Sequence, residues 1–339
     1  MAETMTDTAL YDRLQQLFGD RVQRDAPLAP YTSARVGGPA DVLITVRSAR
    51  ELALVVRRLW AWEAPFWVLG GGSNVLVADE GVRGVVVLNR ARKLAFTPEA
   101  EPPTVWAESG ANFGGLARRA AALGLAGLEW AAGIPGTVGG AVVGNAGAHG
   151  GEVAATLEMA EILHREKGRA FYPPAALEFD YRHSVLKAAG SDAVVLSATF
   201  RLRRELPEAI QDRMQTYKAH RERTQPPGAS MGSMFKNPPG DYAGRLIDAA
   251  GLKGTTVGDA EISTLHANFF VNKGNAKAQE IWALMYLART TVARKFGVWL
   301  EPEIRLVGAW PQEALAALYE PQELPPDEPL PRFSEEGAA

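Results

Sequence analysis

The sequence predicts an α+β fold of more than one domain. Strand-like and helix-like runs alternate near the start, short strands separated by glycines fill the middle, and amphipathic helices follow. At 339 residues the chain can bury a sizeable core, a length that suits two or three domains. Apolar residues make up 47% and charged residues 22%, as in ordinary globular proteins, so wholesale disorder is not expected. A net charge of −3 gives no general attraction to polyanions; nucleic acid is not an expected partner, and any phosphate must be held locally. There is no cysteine, which excludes disulfides and thiolate chemistry. No run approaches the roughly 20 apolar residues of a membrane span. Met1 to Gly19 lacks the apolar stretch of a signal peptide. A cytoplasmic protein with no membrane partner is expected.

Residues 1–30 read as an N-terminal extension. The first module starts near Tyr31, where Val36-Gly37-Gly38-Pro39 breaks the chain before the strand-like run Asp41 to Val46. Ser48 and Glu51 have capping-box spacing, and Leu52, Val55, Val56, Leu59 and Trp60 make one apolar helical face. Two apolar runs, Phe66 to Leu69 and Val85 to Leu88, flank a glycine turn and complete a β-α-β-turn-β order. From Thr104 to Leu202 short strands alternate with glycines, with one helix over about 113–123. Pro207 opens a polar connector helix running to about Arg223. The domain boundary is drawn at this helix, with residues 31–205 as one module and 206–308 as the second domain. In the second domain residues 244–250 form a short helix closed by Gly251. A longer helix over about 276–296 carries the stripe Ile281, Leu284, Ala288, Val292 and Phe296, with Gly297 as its stop. Residues 309–339 read as a loosely docked tail rich in Pro and Glu, expected to be dispensable beyond about Glu313.

Two glycine-rich segments carry the ligand argument. One is Gly70-Gly71-Gly72-Ser73-Asn74, the other Gly133-Ile134-Pro135-Gly136-Thr137-Val138-Gly139-Gly140, and Asn145 and Gly147 follow closely. Glycine lets backbone approach a ligand, and successive N–H groups in such turns make a concave phosphate site. Neither segment completes G-x-G-x-x-G, and no Gly-Lys-Ser/Thr occurs, so Rossmann and P-loop folds are disfavoured. The five histidines lack metal-ligand spacing, and no metal is inferred.

Six strings occur in order: Gly70 to Leu76, Gly127 to Gly140, Tyr181 to Ser184, Gly232 to Pro238, Ala243 to Ile247 and Leu300 to Arg305. Together they resemble the successive signatures of the UDP-N-acetylenolpyruvoylglucosamine reductase family (UDP-N-acetylmuramate dehydrogenases). Only four residues, Pro239 to Tyr242, separate Pro238 from Ala243, as in the shorter subtype that lacks an insertion there. The resemblance implies a two-subdomain FAD-binding module of the vanillyl-alcohol-oxidase (PCMH) type and a C-terminal α+β substrate domain. It also implies noncovalent FAD, NADPH as co-substrate, UDP-N-acetylglucosamine enolpyruvate as substrate, and a monomer. By the same resemblance Gly70, Gly71, Gly72, Ser73, Asn74, Gly133, Gly136, Thr137, Gly139, Gly140, Asn145, Gly147 and Arg223 belong to the cofactor site. Tyr181, Lys236 and Asn237 belong to the substrate site.

Reduction of an enolpyruvyl ether delivers hydride to the terminal carbon and a proton to its neighbour, with extra negative charge on the carboxylate between the two events. Such a site needs a hydride relay, a cationic clamp on the carboxylate and an acid above the carbanion. The resemblance makes Ser233 the acid, Arg182 the clamp, and Glu303 either the partner of Arg182 or a second donor. Glu303 is equally readable as a strand-end carboxylate paired with Arg305. A flavin-dependent sugar or alcohol oxidase and a nucleotide-sugar binding protein without turnover are the competing readings. The first leaves Gly232 to Pro238 and Leu300 to Arg305 unexplained, the second leaves Arg182, Ser233 and Glu303 without a task.

Overall fold

A computed structural model of the chain describes residues 7–320, which divide into two units, each assembled from non-contiguous segments. Among the described residues the first unit contains residues 7–27, 39–73 and 82–223; the second contains 28–38, 74–81 and 224–320.

In the first unit the strand Pro39–Val46 is buried along nearly its whole length and runs parallel to Val82–Asn89, which in turn runs parallel to Phe66–Leu69. Near-continuous apolar runs suit parallel strands covered on both faces. The helix Ala49–Ala61 buries Leu52, Val55, Val56 and Leu59. Its capping box is half formed. The Ser48 hydroxyl accepts from the Glu51 N–H at 3.2 Å, while the Glu51 carboxylate accepts from Arg47 N–H at 2.8 Å instead of from Ser48.

Residues 1–30 are not a simple extension: Val22–Pro27 adds an antiparallel outer strand to Pro39–Val46, with Val22 and Ala26 buried, and the helix Asp7–Phe18 places Leu10 and Leu14 in the same core. The pairing was invisible because Gln23, Arg24 and Asp25 interrupt the apolar pattern.

A second sheet in this unit is antiparallel throughout, in the order Gly168–Tyr172, Leu157–His164, Ala193–Arg201, Thr104–Glu108, Leu94–Thr97. The helix Phe113–Ala122 packs Phe113 against Phe200 and Trp130, with ring centroids 5.7 and 5.6 Å away. Leu163, Val194 and Leu196 of this sheet enter the core of the first. A buried carboxylate also joins the two subdomains: Glu108 accepts from Ala49 N–H and Lys93 N–H, both at 2.8 Å.

The connector helix Pro207–Thr224 belongs to the first unit as far as Arg223, so the boundary lies at its end and not at residue 205. Its apolar contribution is small, Ile210 being its one fully buried side chain. What anchors it is an ion pair that the apolar pattern cannot reveal. Buried Glu129 accepts from Arg213 Nη2 at 2.6 Å and Nε at 3.2 Å, and from Gly127 N–H at 2.7 Å. Burial alone would raise the Glu129 carboxyl, but these hydrogen bonds outweigh it and hold it below its usual range.

The second unit has an antiparallel sheet in the order Ala229–Ser233, Phe269–Asn272, Ala260–Ile262, Thr256–Val257. The long helix Ala278–Phe296 buries Ile281, Trp282, Leu284, Met285, Ala288 and Val292, and Gly297 ends it at φ 68°. Phe296, read as part of the stripe, is exposed. Two early segments complete the unit. Val75–Val77 pairs in parallel with Arg305–Val307. Asp79 receives the N–H groups of Ala278 and Gln279, at 2.8 and 2.9 Å. Asn272 donates to the Ala34 carbonyl at 2.9 Å.

The tail is also corrected. Gln312–Tyr319 is a helix with Ala314, Ala317 and Leu318 buried. Buried Arg289 donates to the carbonyls of Ala317 and Glu320, each at 2.9 Å, and of Leu300 at 3.1 Å; Trp282 Nε1 donates to Ala314 at 3.1 Å. Spacing of small apolar residues between prolines and glutamates concealed this helix, while residues 321–339 lie outside the described residues. Among the described residues no helix is long and apolar enough to cross a membrane.

Two outcomes are expected. A depressed carboxylate contributes stability that is present above its unfolded pKa and lost as pH falls through its folded value. Glu129→Gln should therefore flatten the acid limb of the stability curve as pH falls through and below the usual carboxylate range, measured by urea unfolding across pH; an unchanged limb would remove Glu129 as the anchor. Truncation after Pro311 leaves a buried guanidinium short of partners, which costs about 3 kcal/mol or more, so its urea midpoint should fall well below that of truncation after Glu320.

Candidate functional site

The two glycine-rich segments meet inside the first unit. A Cβ on Gly71 would lie 2.7 Å from Gly136 Cα, one on Gly70 would lie 2.4 Å from Thr137 Oγ1, and one on Gly136 2.7 Å from Ser73 Oγ. Ser73 Oγ also donates to the Pro135 carbonyl at 3.3 Å. Gly139 is pressed against Ser109, and its N–H bonds the Ser109 carbonyl at 2.8 Å. At these positions the missing side chain is first a requirement of loop against loop, and only then a matter of ligand approach. Gly71, Gly133 and Gly140 keep exposed backbone, and an added Cβ at Gly140 would meet only Thr137 Oγ1, at 3.6 Å. Gly72 adopts φ 61° in the turn between them. Asn74, the last residue of the first segment, belongs to the second unit.

Arg182 sits at the tip of a tight turn closed by reciprocal backbone hydrogen bonds between Asp180 and His183. It adopts φ 54°, a left-handed conformation that an arginine holds only when its surroundings enforce it. They do so three times. Its Nη2 donates to the Gly147 carbonyl at 2.6 Å, the Lys187 ammonium donates to the Arg182 carbonyl, and the Arg182 guanidinium lies 5.2 Å from the ring centroid of exposed Tyr181. Asn145 lies beside this turn. It is buried, its amide donates to Glu152 and to the Asp180 carbonyl at 3.1 and 3.0 Å, and its Oδ1 accepts from Ala154 N–H at 3.0 Å. With those groups engaged, the Asn145 side chain fastens the Arg182 turn.

Ser233 and Glu303 come together in the second unit. Glu303 N–H donates to the Met234 carbonyl at 2.8 Å, Lys236 N–H to the Glu301 carbonyl at 2.9 Å, and Phe235 forms a bridge with Pro302. Gly232, at φ 81°, makes the bulge that steps Ser233 out of register with Phe269–Asn272, and bulges re-aim side chains in this way. The segment after Ser233 is held from its other side by buried Asn268. That amide exchanges hydrogen bonds with Phe235 N–H and C=O at 3.0 and 2.8 Å, and its carbonyl accepts from Met234 N–H at 2.9 Å. Glu303 is fixed in the same manner, its carbonyl accepting from Asn74 Nδ2 at 3.2 Å. Tyr319 of the C-terminal helix spans the next residues, donating to Ile304 C=O at 3.2 Å and accepting from Leu306 N–H at 3.1 Å.

The sequence reading missed Asn268, because an asparagine between His266 and Phe269 carries no local signal. Of the expected substrate residues, Lys236 pairs with Glu301 at 2.6 Å and Asn237 Oδ1 accepts from Ala243 N–H at 3.1 Å, opening the helix Ala243–Ala249. Arg223 is exposed, its Nη2 3.5 Å from His220 Nδ1.

Comparison with known proteins bears on both units. Residues 40–170 match an FAD binding domain, and residues 223–307 match the C-terminal domain of UDP-N-acetylenolpyruvoylglucosamine reductase. A reductase of that name from Chloroflexus aggregans is 47% identical over 284 residues, 83% of this chain and 96% of the relative. The chain belongs to the UDP-N-acetylenolpyruvoylglucosamine reductase family. Another relative of that name, from Rubrobacter xylanophilus, is 45% identical over 87% of this chain and 98% of its own length. The crystal structure of the family's enzyme from Thermus caldophilus aligns with a TM-score of 0.72 at 40% identity, covering 85% of this chain and 99% of that one. Membership makes the chain an FAD-dependent oxidoreductase and favours the reductase over the oxidase reading.

The residues present fit the cofactor. Exposed backbone at Gly71 and Gly140 beside the packed turns leaves room for a dinucleotide, and His149 Nε2 is buried nearby in chain, two residues after Gly147, with no hydrogen-bond partner among the described residues. The geometry separates two classes of glycine. Gly71→Ala is expected to lower Tm by several degrees, since backbone must move, whereas Gly140→Ala, inside the helix Val138–Gly144, should hold or raise Tm because alanine favours helix by roughly 0.5–1 kcal/mol. Equal melting losses would dismiss the loop-packing account.

Proposed function

We propose that this protein reduces UDP-N-acetylglucosamine enolpyruvate to UDP-N-acetylmuramate at the expense of NADPH, a step in making a peptidoglycan precursor, as a cytoplasmic monomer. The observation that carries the reading is the shared backbone frame of Ser233 and Glu303, joined through the Met234–Glu303 hydrogen bond, in a chain of this family. The balance is one hydride from NADPH and one proton from solvent added across the carbon–carbon double bond, giving NADP⁺ and the lactyl ether. Bound FAD supplies the relay that carries hydride between the two substrates.

The chain's own residues do the rest. Arg182 presents a permanent cation with a planar fork suited to the substrate carboxylate, and its strained backbone, clamped by Gly147 and Lys187, fixes it before substrate arrives. Preorganised charge of this kind stabilises the extra negative charge without reorganisation. Ser233 delivers the proton to the carbon next to the carboxylate. A hydroxyl is a weak acid, so it serves only if held close to a strongly basic centre; the Gly232 bulge and the Asn268 clamp provide that fixity. Glu303, held in register beside Ser233, positions or supplements the donor.

Proton delivery is needed only after hydride has left NADPH, so the two half-reactions separate. In Ser233→Ala, NADPH should bleach the flavin absorbance at close to the wild-type rate under anaerobic stopped flow. Recovery on adding the enolpyruvyl substrate should slow by about 10² or more, and Ser233→Cys should restore part of it. Wild-type recovery in Ser233→Ala would shift the donor role to Glu303 or water.

A further inference from the structure

The connector helix carries an arginine with no counter-charge. Arg221 lies against Gly133, so close that a Cβ there would fall 2.7 Å from its Cδ and 3.0 Å from its Nε. It is half-buried, and among the described residues no carboxylate, carbonyl or ring is paired with its guanidinium. The contrast with neighbours on the same helix is sharp. Arg213 has Glu129 and Glu205, and exposed Lys218 has Glu222. A second group beside it is also unsatisfied. His149 stacks on Tyr217 at 4.3 Å between centroids and meets His220 edge-on at 5.6 Å, yet its Nε2 is buried without a partner. Burial, then His220 and Arg221, hold the His149 imidazole below its usual pKa, and burial does the same to Arg221.

A partly desolvated cation with no counter-charge is costly in a protein that has no use for it. The cost is offset when an anion arrives, and guanidinium suits phosphate oxygens in particular. We infer that Arg221, with His149 beside it, forms an anion subsite for the phosphate of a nucleotide ligand at the edge of the Gly133–Gly136 turn, the role sequence alone assigns to Arg223. Its place on the glycine turn assigns it to the diphosphate of FAD. This rests on the cofactor reading above, and it makes the chain's phosphate recognition a matter of one half-buried charge in a protein that is negative overall.

The test uses the full chain, stripped of flavin, with Arg221→Gln, Arg221→Lys and the exposed control Lys218→Gln. FAD affinity is read from quenching of flavin fluorescence, and apo-protein stability from thermal melting. Arg221→Gln should weaken FAD by about 10- to 100-fold, the range for a charge-assisted hydrogen bond, while its apo Tm stays at or above wild type because an uncompensated charge has been removed. Arg221→Lys should fall between, and Lys218→Gln should match wild type in both. If FAD binding is unchanged but the KM for NADPH rises by that factor, the subsite stands and its occupant is the phosphate of NADPH. The inference is overturned if Arg221→Gln binds both nucleotides normally, if it loses FAD together with apo Tm, or if Arg223→Gln alone weakens FAD. A wild-type apo-protein that takes up no FAD would instead defeat the cofactor reading itself, a result visible before any variant is made.

Discussion

Contact between the backbones of two glycine turns governs the first unit. With Gly71 seated on Gly136, and Gly70 on Thr137, the segments after Phe66–Leu69 and before Val138–Gly144 share one surface. The first leaves the sheet that holds Phe66–Leu69, and the second opens a helix packed against Ala193–Arg201 of the other sheet. Glu108 then ties the two sheets from inside through Ala49 and Lys93. Glycine at these places is therefore a packing requirement before it is a binding one, whereas Gly140, where an added Cβ meets only Thr137 Oγ1 at 3.6 Å, is free of that requirement.

In the second unit the equivalent constraint is a run of amides and carbonyls that behave as substitute strands. Asn268 pairs with Phe235 as a neighbouring backbone would, Asn74 does so with Glu303, and Asn272 with Ala34. Short strands cannot supply a long ladder, so side-chain amides satisfy buried backbone groups that would otherwise be costly to leave unpaired. The result is a rigid pair, Ser233 and Glu303, on irregular chain. Rigidity matters for the proton-donor role proposed for Ser233, since a weak acid serves only when held close to a basic centre.

Much of this was legible in the sequence. Helical periodicity and punctuation located Ala49–Ala61, Phe113–Ala122 and Ala278–Phe296 to within a few residues, since each is decided by its own apolar face and its own stop. Motif order led to the family, and it is the ground on which Ser233, Arg182 and Glu303 are proposed. What remained hidden depends on contacts distant in sequence. Val22–Pro27 reveals itself only against Pro39–Val46, the connector helix only through Glu129 and Arg213, and the C-terminal helix only through Arg289. Arg221 and Arg223 are indistinguishable as letters; contact with Gly133 and partial burial set Arg221 apart from exposed Arg223.

The capping of Ala278–Phe296 by Asp79 has a consequence for how the molecule comes into being. Roughly two hundred residues separate the cap from the helix it closes, and loop-closure entropy grows only slowly with such a span, but during synthesis the wait is real. Residues 28–38 and 74–81 leave the ribosome long before their partners in the second unit exist. At typical elongation rates of about 5–20 residues per second, those segments spend on the order of ten seconds or more with apolar Val36, Leu76 and Val77 unclaimed. The first unit must fold around two loose loops, and the vulnerable interval for aggregation is set by translation speed through the intervening stretch.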